Sequence, residues 1–158
     1  MPGKYYTASF KDIAVTAVQD LFEITAPSGA AVVIHGWSVS QKTEVADAAE
    51  EGLTLVTNRG VGSTTSGSGG SSVTPQPTDD DTASAAATVE RNNTTVMAAG
   101  SGSLEELEVH AWNIRAPFIM FYPPELRPKI KASARWTLEL ETAPADSITM
   151  SGTVWFEE

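Results

Sequence analysis

Apolar side chains recur at every second position along much of this chain, and this period constrains the fold more than any other feature of the sequence. Residues 133–141 carry it most clearly, with apolar side chains at Ala134, Trp136, Leu138 and Leu140 and polar ones between them. Residues 148–157 repeat the alternation, with Trp155 as the one apolar side chain on the polar face. Successive side chains of a β-strand point to opposite faces, so each segment predicts a strand that buries one face.

Shorter segments of the same kind occur along the rest of the chain, separated by turn-forming residues. They cover residues 5–10, 14–18, 21–25, 31–40, 53–58, 89–97, 107–114, 118–121 and 130–132. About nine to eleven short strands predict an all-β fold, an antiparallel β-sandwich that is jelly-roll-like. The turn residues of 142–147 predict that the last two strands form an antiparallel hairpin. At most one short helix is expected, over residues 43–52, for which an acidic loop is an equal alternative.

The composition changes between residues 60 and 88, a stretch of 29 residues without an aromatic residue, leucine or isoleucine. Gly, Ser, Thr and Ala dominate it, which is typical of linkers and disordered segments. The strand pattern before it has no self-sufficient core, so we expect one domain over residues 1–158 with an extended polar loop or arm. Its Val73, Pro75 and Pro77 are candidate contact residues for a neighbouring subunit. Deleting residues 62–84 is therefore expected to leave a folded domain that no longer assembles.

The charges and the missing residue types exclude some classes of function. The chain has 10 basic and 20 acidic side chains, a net charge of −10, and the basic residues are scattered, which argues against a nucleic-acid-binding protein. Without cysteine there is no disulfide, Cys-based zinc site or cysteine nucleophile. No apolar run approaches the ~18 residues of a membrane span, and no secretory signal is recognisable. We therefore expect neither a membrane nor a nucleic-acid partner.

Residue patterns that carry chemistry are missing as well. Neither the nucleophile elbow Gly-x-Ser-x-Gly nor a phosphate-binding glycine loop occurs. His35 and His110 could be general bases or metal ligands, but no third ligand accompanies them, and we interpret them as sheet residues. Residues 79–81, three aspartates, lack calcium-loop spacing and are interpreted as a solvated charge run. Glu106 and Glu108 share a strand face and could form the carboxylate pair of a glycoside hydrolase, but any acidic β-protein offers such pairs. We predict no catalytic, metal-binding or cofactor-binding residue, and no enzyme.

The aromatic residues separate into two groups. Trp37, Trp112, Trp136 and Phe156 fit core positions. Trp155, in contrast, stands on a polar face, and Phe118, Met120 and Tyr122 belong to a run that is apolar on both faces. Such residues are either covered twice or contact a partner. We predict that these four side chains mark a subunit or partner interface.

Three stretches of the chain resemble small proteins that are encoded beside the head genes of tailed bacteriophages. The first is Thr-Thr-Ser-Gly-Ser-Gly-Gly-Ser-Ser-Val-Thr-Pro at 64–75, continued at 85–90 and 93–95. The second is the ending Ala-Pro-Ala-Asp-Ser-Ile-Thr-Met-Ser-Gly-Thr-Val-Trp-Phe-Glu-Glu at 143–158. The third is the opening, at 6–10 and 17–24. These are patterns of a scaffold and contain no catalytic site.

The resemblance implies a virion structural protein. Its role would be that of a head decoration or cement protein, a jelly-roll-like sandwich that is often a homotrimer and binds the major capsid protein. It would be made in the host cytoplasm and lie on the capsid exterior, with no cofactor. The alternative is a carbohydrate- or receptor-binding β-sandwich module of a virion fibre or tail, and an enzyme of the cupin or glycosidase kind is a third class.

Overall fold

The chain passes repeatedly between two antiparallel sheets, in a computed structural model that describes residues 3–43, 51–80 and 82–158. The strands are β1 (Tyr5–Val15), β2 (Gln19–Thr25), β3 (Val32–Gln41), β4 (Gly52–Val61), β5 (Ser71–Val73), β6 (Gln76–Pro77), β7 (Thr88–Asn93), β8 (Ser103–Asn113), β9 (Phe118–Phe121), β10 (Lys129–Ile130), β11 (Arg135–Leu140) and β12 (Ile148–Glu157), with one 3₁₀ turn, η1 (Pro124–Leu126). The first sheet has the order β10-β3-β12-β1-β6, and β9 also pairs with β3. The second has the order β5-β7-β2-β11-β4-β8. The predicted antiparallel β-sandwich is confirmed.

The alternation of burial is confirmed for β12, whereas in β11 Thr137 on the polar face is buried as well. The predicted pairing of the two strands was wrong. β11 lies in the second sheet between β2 and β4, whereas β12 lies in the first sheet between β3 and β1. Residues 141–147 therefore connect the two sheets. Turn residues show that the chain reverses direction, but they do not show whether the next strand pairs with the last one or faces it across the core. Each strand gains two partners in this arrangement.

The side chains between the sheets form one core. It contains Trp37, Trp112, Trp136 and Phe156, as the alternation predicts. Trp37 Nε1 donates a hydrogen bond to the Tyr122 hydroxyl (3.0 Å), which donates to Glu108 Oε2 (2.7 Å). Buried indole and phenol groups need such partners. This chain of bonds ties β3 of the first sheet to β8 of the second.

Residues 60–88 form a loop held against their own domain, and the expectation of a linker or projecting arm is corrected for the described residues of this stretch. β5 pairs with β7, β6 pairs with β1, and Ser68 pairs with Thr95. Small residues make this possible, because they let the backbone approach closely: a Cβ on Gly70 would lie 2.1 Å from the carbonyl oxygen of Arg91. A Gly/Ser-rich composition is thus compatible with close packing as well as with flexibility.

The strand boundaries differ from the prediction at several points. The predicted strands 5–10 and 14–18 join in β1 around a bulge, where Asp12 has a φ of 56°. The predicted strand 89–97 ends at Asn93, whose predecessor Asn92 also has a positive φ, 53°. The helix or loop expected at 43–52 falls mostly on residues 44–50, outside the described residues, and Gly52 begins β4.

Candidate functional site

The outer face of the first sheet carries a row of side chains around a glycine. Gly36 on β3 is paired with Trp155 of β12 on one side and with Phe121 of β9 on the other. The rings of Phe121 and Trp155 meet with their centroids 4.9 Å apart. A Cβ at Gly36 would lie 2.4 Å from the Met120 carbonyl oxygen and 2.8 Å from the Phe121 ring. Glycine therefore allows the two rings to meet above the strand between them.

Polar groups stand beside these rings. His35 Nε2 lies 3.0 Å from Glu157 Oε2, and the Tyr5 ring packs edge-on against His35 with a centroid distance of 5.2 Å. The Tyr122 amide donates to the His35 carbonyl (2.9 Å), and the Tyr122 carbonyl accepts from Arg127 Nε (3.4 Å). Rings and polar groups together enclose an open cavity of about 400 Å³ lined by Tyr5, His35, Thr78, Phe121, Arg127 and Trp155. We call it the aromatic cavity.

The structure corrects which residues of the run 118–122 are exposed. Phe118 and Met120 are half-buried and pack against the core, and Tyr122 is only 5% exposed. The neighbouring side chains point outward: Ile119 is 59% and Phe121 63% exposed. Phe118 instead stacks on Trp37, with centroids 5.2 Å apart. Sequence reasoning found both faces apolar but had no way to tell which one the core would take.

The other predicted contact residues lie at two separate places on the domain. Trp155 is half-exposed on the outer face of the first sheet, as its place on the polar face predicts. Pro75 is buried, while Val73 and Pro77 are half-exposed within β5 and β6. These two short strands are held on their own domain, each at the edge of its sheet that lies away from β8 and β9.

His110 and Glu108 take packing roles in the described part of the chain. The His110 ring lies against Phe118 and Trp37, with centroids 5.2 and 5.9 Å away. Glu108 accepts from Tyr122 and does not face a cleft with Glu106. Within the described ranges no three His, Asp or Glu side chains gather as metal ligands would.

A buried acidic cluster on the outer face of the second sheet escaped sequence reasoning. Glu23 accepts hydrogen bonds from Ser66 Oγ (2.5 Å) and the Gly67 amide (2.8 Å), and Arg135 Nε lies 3.2 Å from it. Asp20 accepts from the Met97 amide at 2.7 Å. Burial raises the pKa of Asp20 to about 8; the Met97 hydrogen bond opposes this shift, and the charges of Glu139 and Glu23 add to it. The two acids fasten the loops at 62–70 and 94–98 onto the sheet.

The two lateral sides of the sandwich are unlike. The closed side is the one bounded by β5 and β6, where residues 82–88 add contacts: Tyr6 donates to the Ala83 carbonyl (2.9 Å) and the Ala87 amide donates to Glu158 (2.7 Å). The open side is bounded by β8 in one sheet and by β9, η1 and β10 in the other. Here the exposed apolar side chains are Leu104 (38%), Val109 (53%), Ile119 (59%), Phe121 (63%) and Leu126 (70%).

Basic residues also gather near the open side, although they are scattered along the sequence. Arg59, Lys129 and Lys131 surround a second cavity of about 290 Å³ together with Glu105. Glu105 accepts from Arg59 Nε (2.9 Å), so part of this charge is neutralised within the domain. The open side therefore combines apolar and basic groups in a chain that is acidic as a whole.

Comparisons with protein-family models, with curated proteins and with solved structures find no match to this chain. Among the described residues, no helix has the length and apolar character needed to cross a bilayer.

Proposed function

We propose that this protein is a virion structural protein of a tailed bacteriophage, a decoration or cement protein that binds the major capsid protein on the outer surface of the head. The observation that carries the proposal is the open side, where apolar side chains of β8, β9 and η1 stand exposed along two unpaired sheet edges. The resemblance of three stretches of the sequence to head-associated phage proteins supplies the identity of the partner. The repeated passage of the chain between its two sheets suits the jelly-roll-like fold expected of such a protein.

The open side has the features of a surface that another protein covers. Among the described strands, β8 pairs with β4 alone, which leaves the hydrogen-bonding groups along its other edge free to add a strand. Glu105 and Glu106 lie on this strand, and charges on an edge discourage indiscriminate pairing. The open side also exposes the apolar side chains of Val109, Ile119 and Leu126. Exposed apolar patches of this kind are typical of surfaces that bind another protein.

The closed side suits the opposite role. Its edges are short strands of three and two residues, covered by the domain's own loop. A sandwich with one closed and one open side binds a partner through the open side alone. This suits a protein that coats a shell, because its other side then faces solvent. The net charge of −10 keeps coated particles apart and soluble. In a homotrimer, each copy would use a surface other than the open side to meet a different surface of the next copy, a contact that closes into a ring.

Cosedimentation with phage heads that lack the protein tests this proposal. We expect the wild-type chain to sediment with the heads, and the double variant Ile119→Ser, Leu126→Ser to remain in the supernatant with its thermal midpoint unchanged. Val73→Ser, a half-exposed apolar residue of the closed side, is the matched control and should sediment like the wild type. A wild-type chain that never sediments with heads would overturn the function, whereas equal sedimentation of the double variant would overturn the attachment surface.

A further inference from the structure

The geometry points to a second binding site, the aromatic cavity, whose ligand is a sugar that carries a carboxylate, such as a hexuronic acid. The cavity lies on the outer face of the first sheet and does not depend on attachment to a phage head. Its volume of about 400 Å³ falls within the range of roughly 300–1,000 Å³ that small-ligand pockets occupy, with mostly apolar walls and a few placed polar groups.

The apolar wall is a pair of rings held in position by the strands beneath them. Phe121 and Trp155 belong to different strands and meet above Gly36, so neither ring needs the ligand to order it. A pyranose ring has one face of C–H groups, which packs against aromatic rings, while its hydroxyls point outward around the edge. Trp155 is also the one tryptophan of four that is not buried in the core. Three tryptophans serve the core, and the fourth is presented to solvent.

Arg127 supplies a positive charge beside this wall. Its Nε is used on the Tyr122 carbonyl (3.4 Å), which fixes the guanidinium at the edge of the cavity. In the described part of the chain, neither terminal amino group has a hydrogen-bond partner, and no carboxylate lies within ion-pair distance. An arginine without an acidic partner is unexpected in a chain with twice as many acidic as basic side chains. The two free amino groups have the fork geometry that binds a carboxylate with two parallel hydrogen bonds.

His35 and Thr78 add hydroxyl-binding groups. His35 uses Nε2 on Glu157 Oε2 (3.0 Å), and its second ring nitrogen can donate or accept according to its tautomer. Thr78 also lines the cavity; its hydroxyl donates to the Tyr5 carbonyl (3.3 Å) and can accept from a sugar hydroxyl.

These three groups favour an acidic sugar over a peptide. An acidic peptide could use Arg127 and the rings, but it brings few hydroxyls for His35 and Thr78. A neutral sugar would use the rings, His35 and Thr78 but would leave Arg127 without its anion. A sugar acid satisfies the stacking rings, the cation and the hydroxyl-binding groups together.

Glucuronic acid is the probe for this site, with glucose as its neutral counterpart. The indole N–H resonance of Trp155 reports binding, because the other three tryptophans are buried. We expect glucuronic acid to shift this resonance in a saturable way and glucose to bind at least about tenfold more weakly. Arg127→Gln should weaken glucuronic acid by about the same factor, and Trp155→Ala should abolish retention of the chain on glucuronic acid resin. Lys131→Gln removes an equal charge outside the cavity and should leave the affinity within about twofold.

Several results would overturn the inference. The first is that glucuronic acid leaves the Trp155 resonance unmoved up to its solubility limit. The second is equal binding of glucose and glucuronic acid, or equal weakening by Arg127→Gln and Lys131→Gln, which would make the attraction non-specific. The third is burial of Trp155 by phage heads while no sugar binds, which would assign the cavity to a protein partner. Spectra of each variant without ligand verify that it is folded.

Discussion

Replacing Asp20 with asparagine should change how the stability of this protein depends on pH. Asp20 is buried on the outer face of the second sheet, where burial raises the pKa of its carboxyl from 3.8 to about 8. A folded-state pKa above the unfolded value means that the folded chain keeps a proton that the unfolded chain releases. The stability linked to this proton is fully present below pH 4 and is lost as the pH rises toward 8.

The magnitude follows from the two pKa values. Between them, each pH unit removes about 1.4 kcal/mol from the free energy of unfolding, so about 3 kcal/mol is lost between pH 5 and pH 7 through this one group. The asparagine of the Asp20→Asn variant has no proton to lose, and its side-chain oxygen can still accept from the Met97 amide. We therefore expect the free energy of unfolding of the variant, relative to that of the wild type, to rise by about 3 kcal/mol between pH 5 and pH 7.

Urea unfolding at pH 5, 6 and 7, followed by tryptophan fluorescence, measures this difference. Two other acids face Asp20, Glu139 and Glu23, and burial also raises the pKa of Glu139. The Glu139→Gln variant is therefore measured under the same conditions, so that the contributions of Asp20 and Glu139 to the pH dependence are separated. Asp12 is a control of opposite sign, because its hydrogen bond with Lys42 lowers its pKa. Parallel stability curves for the wild type and the Asp20→Asn variant would refute the reasoning.

Three further changes test the packing. Gly36→Ala places a methyl group 2.4 Å from the Met120 carbonyl oxygen, so we expect a loss of about 1–3 kcal/mol and a shifted Trp155 indole resonance; an unchanged thermal midpoint would show that β9 does not depend on this contact. Tyr122→Phe removes the hydroxyl between Trp37 and Glu108 and should lower the free energy of unfolding, measured with urea, by about 1–3 kcal/mol. An unchanged free energy of unfolding would contradict this. Deleting residues 62–84 removes Ser66 and Gly67, which donate hydrogen bonds to Glu23. Circular dichroism should therefore show an unfolded chain, in contrast to the folded domain expected from the sequence; a cooperative transition like that of the wild type would contradict this.

The sequence alone predicted the fold class and most of the core. The alternation at 133–141 and 148–157 placed Trp136, Leu138, Val154 and their neighbours correctly, because burial of one face imposes a period of two along any such strand. The period does not say which strands pair. β11 and β12 were therefore assigned to one hairpin although they belong to different sheets.

The site was predicted only in part, and the reasons are physical. Trp155 was found because it breaks the alternation, but Phe121 was missed, since a strand that is apolar on both sides does not reveal which side the core takes. Arg127 and His35 lie far apart in sequence, and the pairing of β9 and β10 with β3 brings them to one cavity. The role of Asp20 and Glu23 depends on the loop at 62–70, whose composition indicated disorder.

The orientation of the protein on the phage head tests the proposed function most directly. A cryo-electron microscopy reconstruction of heads that carry the protein would show which side of the sandwich faces the shell. We expect density for this chain on the outer surface, with Val109, Ile119 and Leu126 of the open side against the major capsid protein and the closed side toward solvent. Heads without this density, or copies that touch the capsid through the closed side, would contradict the proposal.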